Sequence, residues 1–231
     1  MTNNEETDGI DTPGDLEGDK FVGGGLRTAL LCIIAIALLA AAGAGGWIIG
    51  HDHPATKVTA SSVDAGFARD MSTHHTQAVV IASYERDNTA NPNLKLMAYD
   101  IESEQAFQIG EMQGWLDTWG LSRQSSLAPM SWMAGHGHLT SDGLMPGMAT
   151  GDEVSHLETL KGTALDIDFL QLMIRHHQGG LPMAQYAEQH ASQPYVRSLA
   201  SQIIASQSSE IITMEQFLRQ LGASPLPTPT D

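Results

Sequence analysis

The chain has a single cysteine, Cys32, among 231 residues. An intrachain disulfide framework is therefore excluded. So is thiolate metal chemistry in the polar part of the chain, because Cys32 sits inside an apolar run. Positive charge is scarce as well: 11 Lys and Arg face 27 Asp and Glu, a formal net charge of −16. Nucleic acid needs a basic surface, so that class of partner drops out. Neither a phosphate-binding glycine loop nor a nucleophile–base signature occurs. What the chain has in quantity is 10 histidines and 11 methionines.

Only one long apolar run exists. Thr28–Gly50 carries no charge and is rich in Leu, Ile and Ala, which is long enough to cross a bilayer as a helix. Lys20 and Arg27 precede it, and this predicts a single-pass cell-membrane anchor with a cytoplasmic N-terminus and an extracytoplasmic C-terminal domain. A cleaved signal peptide is the rival, with small residues at Ala40–Ala44, but the stretch before the run is long for one. The organisation expected is an acidic, disordered tail over 1–25, an anchor over 26–50, a helical domain over 58–222 and a loose Pro-rich tail over 223–231. His51-Asp52-His53-Pro54 reads as a solvated linker.

One stretch occurs twice. Asp64-x-x-Phe67-x-x-x-Met71-x-x-His74-His75 returns 102 residues later as Asp166-x-x-Phe169-x-x-x-Met173-x-x-His176-His177. The same offset relates Tyr84 to Tyr186, Pro92 to Pro194, Gln105 to Gln207, Met112 to Met214 and Gly120 to Gly222. A repeat of this kind fixes architecture before any single element does. At 3.6 residues per turn, positions 64, 67, 71, 74, 75, 78 and 82 share one stripe, which is also the apolar one. Each repeat (62–120 and 164–222) is then two helices joined at a proline, and the short turns favour antiparallel neighbours. The fold class expected is all-α: an antiparallel four-helix bundle of two helical hairpins with a pseudo-two-fold axis, plus the N-terminal transmembrane helix.

Ser61 or Ser62 is the expected cap of the first helix, Pro92 and Pro194 are first-turn prolines, and Gly120 and Gly222 are stops. Gly179-Gly180-Leu181-Pro182 should break or kink the third long helix. Between the repeats, the linker 121–151 holds Met130, Met133, His136, His138, Met145 and Met148. A loop of this length is either functional or disordered. A short helix is expected from about Asp152 to Lys161, capped by Asp152.

The stripe places imidazoles inside, where polar groups must find partners. A hydrogen-bond network or a metal ion would serve. Thioether selects Cu(I), and imidazole suits copper as well as zinc. On the metal reading, Met173, His176 and His177, completed by Met183 or Met214, form one set, and Met71, His74, His75 and Met112 form the other. The linker Met and His residues are accessory ligands, and Asp64 and Asp166 orient imidazoles. Ile81 stands where Met183 has its counterpart, so the second set should be the tighter. Affinity is expected to fall as pH drops through about 6.5, the ordinary histidine value.

The double Phe-x-x-x-Met-x-x-His-His pattern, with Leu144-Met145-Pro146-Gly147-Met148-Ala149 leading into Asp168–Gly179, resembles the bacterial "domain of unknown function 305" family over residues 60–222. The resemblance implies a ferritin-like four-helix bundle. It also implies a role in copper handling, since some members are exported copper-binding proteins linked to copper tolerance. Two readings compete with copper: a structural or interaction bundle with core histidines and no metal, and a ferritin-like di-metal oxidase. The oxidase needs two Glu-x-x-His motifs facing inward, and Glu153-Val154-Ser155-His156 is the only one. The partners expected are the membrane and a metal ion, and no protein partner is legible.

Overall fold

Local chemistry sets the helix ends. The Ser62 side chain accepts the Ala65 N–H at 3.3 Å and opens α1, Val63–Asn88. The chain turns through Thr89, and the Asn91 side chain accepts the Asn93 N–H at 3.0 Å. Pro92 then starts α2, Pro92–Thr118, where its missing N–H costs nothing. Gly120, at φ +67°, lets the chain leave. After a linker come α3, Gly151–Leu157, α4, Thr163–His190, and α5, Pro194–Gln220, with Gly222 at φ +75° beyond it.

The computed structural model describes residues 57–133 and 135–227. Among them there are five α-helices and no strand. The expected tail, the span over Thr28–Gly50 and the His51–Pro54 linker lie outside the described residues. Among the described residues no helix is long and apolar enough to cross a membrane.

Helices α1 and α2 pair as one hairpin and α4 and α5 as another, and the hairpins meet through α1 and α4 to make a helical bundle. The core falls into two apolar clusters. Phe67, Met71, Met112, Leu116, Met183 and Ile203 belong to the first, together with Met130, Trp132, Met133 and Met145 of the linker. The second holds Ile81, Leu94, Ile101, Phe169, Met173, Met214 and Leu218. Each cluster joins the start of one helix to the end of its hairpin partner, which is the antiparallel arrangement. Fully burying a side chain such as Phe67 or Phe169 stabilises by about 1.5–3 kcal/mol. Between the clusters lies the stretch of α1 and α4 that carries the histidines.

Two expectations fail. The cap of α3 is Thr150, not Asp152: its hydroxyl accepts the Glu153 N–H while Glu153 reaches back to the Thr150 N–H, a reciprocal capping box. The helix also stops at Leu157, short of Lys161. Second, α4 runs unbroken through Gly179, Gly180 and Pro182. The glycines are there for close approach. A Cβ on Gly179 would collide with the Pro146 carbonyl, and one on Gly147 with the Arg175 carbonyl. The linker backbone rests directly on α4 at this point, and packing on both sides carries the helix past the proline.

Candidate metal centre

His74, His75, His176 and His177 are all fully buried. Their registers on α1 and α4 face each other across the contact between the hairpins. The His74 and His176 rings lie 3.8 Å apart between centroids, and those of His176 and His177 6.3 Å. Gln105 and Gln108 on α2 and Gln207 on α5 are buried with them, and Glu210 reaches in from a partly exposed position. These residues form a polar layer that separates the two apolar clusters.

Every imidazole of the layer is held at Nε2. His74 donates to the Pro146 carbonyl at 3.1 Å, and His176 to the His74 carbonyl at 3.0 Å. His75 donates to the Gln108 amide oxygen at 2.7 Å, and His177 to the Glu210 carboxylate at 2.6 Å. The Gln108 amide is oriented by its own N–H bond to Glu104 at 2.8 Å. These partners are acceptors, so Nε2 carries a proton, and in a neutral ring Nδ1 is then a bare lone pair. None of the four Nδ1 atoms has a hydrogen-bond partner, nor has either end of the Gln105 and Gln207 amides. A Cβ on Gly180 would lie 3.2 Å from Gln207 Oε1 and 3.5 Å from His74 Nδ1, so these orphaned atoms line the same space.

Burial keeps His74, His75 and His176 neutral. It pushes His74 down to about 4, against a smaller upward pull from the Pro146 carbonyl. His75 falls to about 3 through burial and then through the neighbouring His74. His176 is driven well below the ordinary value, again by burial first and by the other imidazoles next.

The methionines sort by end of the bundle rather than by repeat. Met183 lies in the cluster of Met71 and Met112, whereas Met173 and Met214 lie in the other. Ten residues along one helix span about 15 Å, which carries Met183 past the histidine layer from Met173. In the linker, Met130, Met133 and Met145 are buried in the Met71 cluster and Met148 packs against it, while His136 and His138 are exposed. Asp64 and Asp166 do not touch an imidazole. Asp64 accepts the Ser192 and Gln193 N–H groups at 3.1 and 2.8 Å, and Asp166 accepts the Thr89 hydroxyl at 2.7 Å. Each carboxylate ties down the turn of the other hairpin, because the first turn of one hairpin abuts the connection of its mate. The groups that orient the imidazoles are Gln108, Glu210 and two backbone carbonyls. Gln108 and Glu210 each follow their histidine by 33 residues, a relation visible in the repeat once it is known which stripe of α2 and α5 faces inward.

Neutral imidazoles with bare Nδ1 atoms beside thioethers are a donor set for a soft or borderline ion. Among the described residues no three His, Cys, Asp or Glu side chains group to hold a metal ion, so thioethers would complete any coordination. The Glu153-x-x-His156 motif is outside the layer, on α3. Both Glu153 oxygens are taken by Arg175, at 2.8 Å each, and one also by Thr150.

The profile of the family described as Domain of unknown function (DUF305) matches residues 64–218. Three solved structures are similar. A DUF305 protein of Streptomyces coelicolor is 43% identical over 73% of this chain and 99% of its own, with a TM-score of 0.68. A DUF305 fragment of Deinococcus radiodurans is 31% identical over 68% and 96%, with a TM-score of 0.57. CopM in the Cu(I)-bound form is 27% identical over 68% and 96%, with a TM-score of 0.54. No curated protein matches the chain.

Proposed function

The chain belongs to the DUF305 family, and within it we propose that this protein is a membrane-anchored, extracytoplasmic, ferritin-like bundle that binds Cu(I) at its histidine layer and serves in copper handling. One observation carries the reading. Each buried imidazole donates Nε2–H to a fixed acceptor and leaves Nδ1 bare. Metal-bound histidines are oriented in this way, with the far nitrogen on a carboxylate or carbonyl. A buried lone pair without a partner is costly, and an ion bound there would remove that cost. His74, His75, His176 and His177 would supply the imidazoles, no more than two of them to one ion, with Met71, Met112 and Met183 on one side of the layer and Met173 and Met214 on the other. Bound Cu(I) supplies a soft Lewis acid; the protein supplies neutral ligands and excludes water. The Cu(I)-bound CopM neighbour supports the same class of ion.

The test is an anaerobic Cu(I) titration of the parent and of His74→Ala/His176→Ala, with helicity checked by circular dichroism. The expected result is a folded variant that has lost the tight equivalent. Unchanged stoichiometry and affinity in a folded variant would leave the histidines as core residues only. The anchor rests on the charge-free run after Lys20 and Arg27. Reporters fused after Lys57 should be active only as extracytoplasmic reporters, and cytoplasmic activity would overturn the topology.

A further inference from the structure

Outside the buried layer, two more histidines border one cleft. His136 comes from the linker and His190 from the last turn of α4, and both are exposed. Tyr186 precedes His190 by one helical turn, so the two share a face of α4. The rings pack accordingly: Tyr186 lies 4.3 Å from His190 and 5.9 Å from His136 between centroids. Tyr186 is itself braced edge-on by Trp132 at 5.7 Å. The three rings border a cleft of about 310 Å³ whose wall includes the thioether side chain of Met133 and the Gln185 and Gln189 amides. Met133 is 2% exposed and belongs to the core cluster of Met71, Met112 and Met183.

We propose that His136 and His190, gathered on the Tyr186 ring, form a surface capture site for a borderline divalent transition-metal ion of the Cu²⁺ type. Two imidazoles on one cleft suit such an ion, and Gln185 and Gln189 add oxygen donors. The buried layer cannot meet a hydrated ion directly, because its four imidazoles have no exposed surface. A solvent-facing imidazole pair can. The position of Met133 puts this cleft against the wall of the methionine cluster. The repeat does not disclose the pair: His190 corresponds to Asn88 in the first half and His136 lies in the unrepeated linker.

The probe is Cu²⁺ added to the full chain, read by electron paramagnetic resonance and by titration. The parent should show a Cu²⁺ equivalent with two-nitrogen hyperfine structure. His136→Ala and His190→Ala should each weaken it by about 100-fold, since either change leaves one donor where two linked donors acted together. The double variant should lose little more than either single one. Both side chains are exposed, so folding is not at stake. Losses that simply add, or a double variant with the parent's Cu²⁺ affinity and spectrum, overturn the shared site. His176→Ala/His177→Ala separates this site from the buried one: it should keep the surface Cu²⁺ signal whatever becomes of its Cu(I) affinity. Loss of that signal in the folded variant would also overturn the proposal.

Discussion

The two hairpins carry the same stripe and hand it to different neighbours. His75 bonds to the neutral amide of Gln108, whereas His177 bonds to the carboxylate of Glu210. The His176 N–H goes to the His74 carbonyl, but the His74 N–H goes instead to Pro146, in the linker. The first hairpin also buries Glu85, and the second has Ala187 at the matching place. A repeat thus decides where a side chain sits, while substitutions within it and the unrepeated linker decide its chemistry. The linker adds to the asymmetry: it lies on α4 at Gly179 and reaches His74 of the opposite hairpin.

Acid should strike both hairpins together, and this is the largest effect expected. Unfolded histidines titrate near 6.5, but folded His74 does so at about 4 and His75 at about 3. Between those values the unfolded chain binds more protons than the folded one, so stability rises with pH. The imidazole contribution should be full above about 6.5 and fall steadily as pH drops towards about 4. The urea midpoint measured from pH 7 to 4.5 in Glu85→Gln, which removes the opposing titration of that carboxyl, tests this, and a flat profile there would mean that the imidazoles are not buried neutral. The same burial corrects the ligand expectation, since Cu(I) binding should survive well below pH 6.5.

The second effect belongs to the first hairpin alone. Glu85 is fully buried beside Asp166 and Thr89. Burial, and next the negative charge of Asp166, push it up to about 8. Here the folded state binds the extra proton, so the stability this carboxyl contributes is present below about 4.5 and lost as pH rises through about 8. Glu85→Gln mimics the protonated acid. It should stabilise by something on the order of 2 kcal/mol at pH 8, with the gain growing between pH 5 and 8 and levelling above. A gain that does not change with pH would remove Glu85 as a distinguishing charge.

The bundle was legible because its signals are local or periodic. Ser62, Pro92, Pro194, Gly120 and Gly222 mark ends by their own backbone chemistry, and the stripe from Asp64 to Ala82 is buried throughout. The illegible part depends on facing elements. Asp64 and Asp166 share the stripe of the histidines, yet each answers a turn of the other hairpin. Gly179 reads as a break, because a sequence does not show that the Pro146 carbonyl occupies its Cβ position. Met183 reads as a neighbour of Met173, because a stripe records direction around the helix and not height along it.

The smallest effect expected is also the sharpest test of the comparison, because it exchanges a single charge. Glu210 accepts the His177 N–H at 2.6 Å, where Gln108 serves His75 at 2.7 Å. A carboxylate behind an imidazole raises its basicity as a ligand more than a neutral amide does, and such partners are typically worth 10–100-fold in metal affinity. Because Gln keeps the acceptor and removes only the charge, Glu210→Gln should weaken Cu(I) binding by about tenfold, at the low end of that range. Glu210 is partly exposed, so the change should cost little stability. The reverse change, Gln108→Glu, should strengthen the His75 side, and the double exchange should restore most of the parent's affinity with the hairpins' roles reversed. Competition against a Cu(I) chelator measures all three. If Glu210→Gln binds as the parent does while Gln108→Glu changes nothing, the difference between the hairpins is one of packing and not of ligand strength.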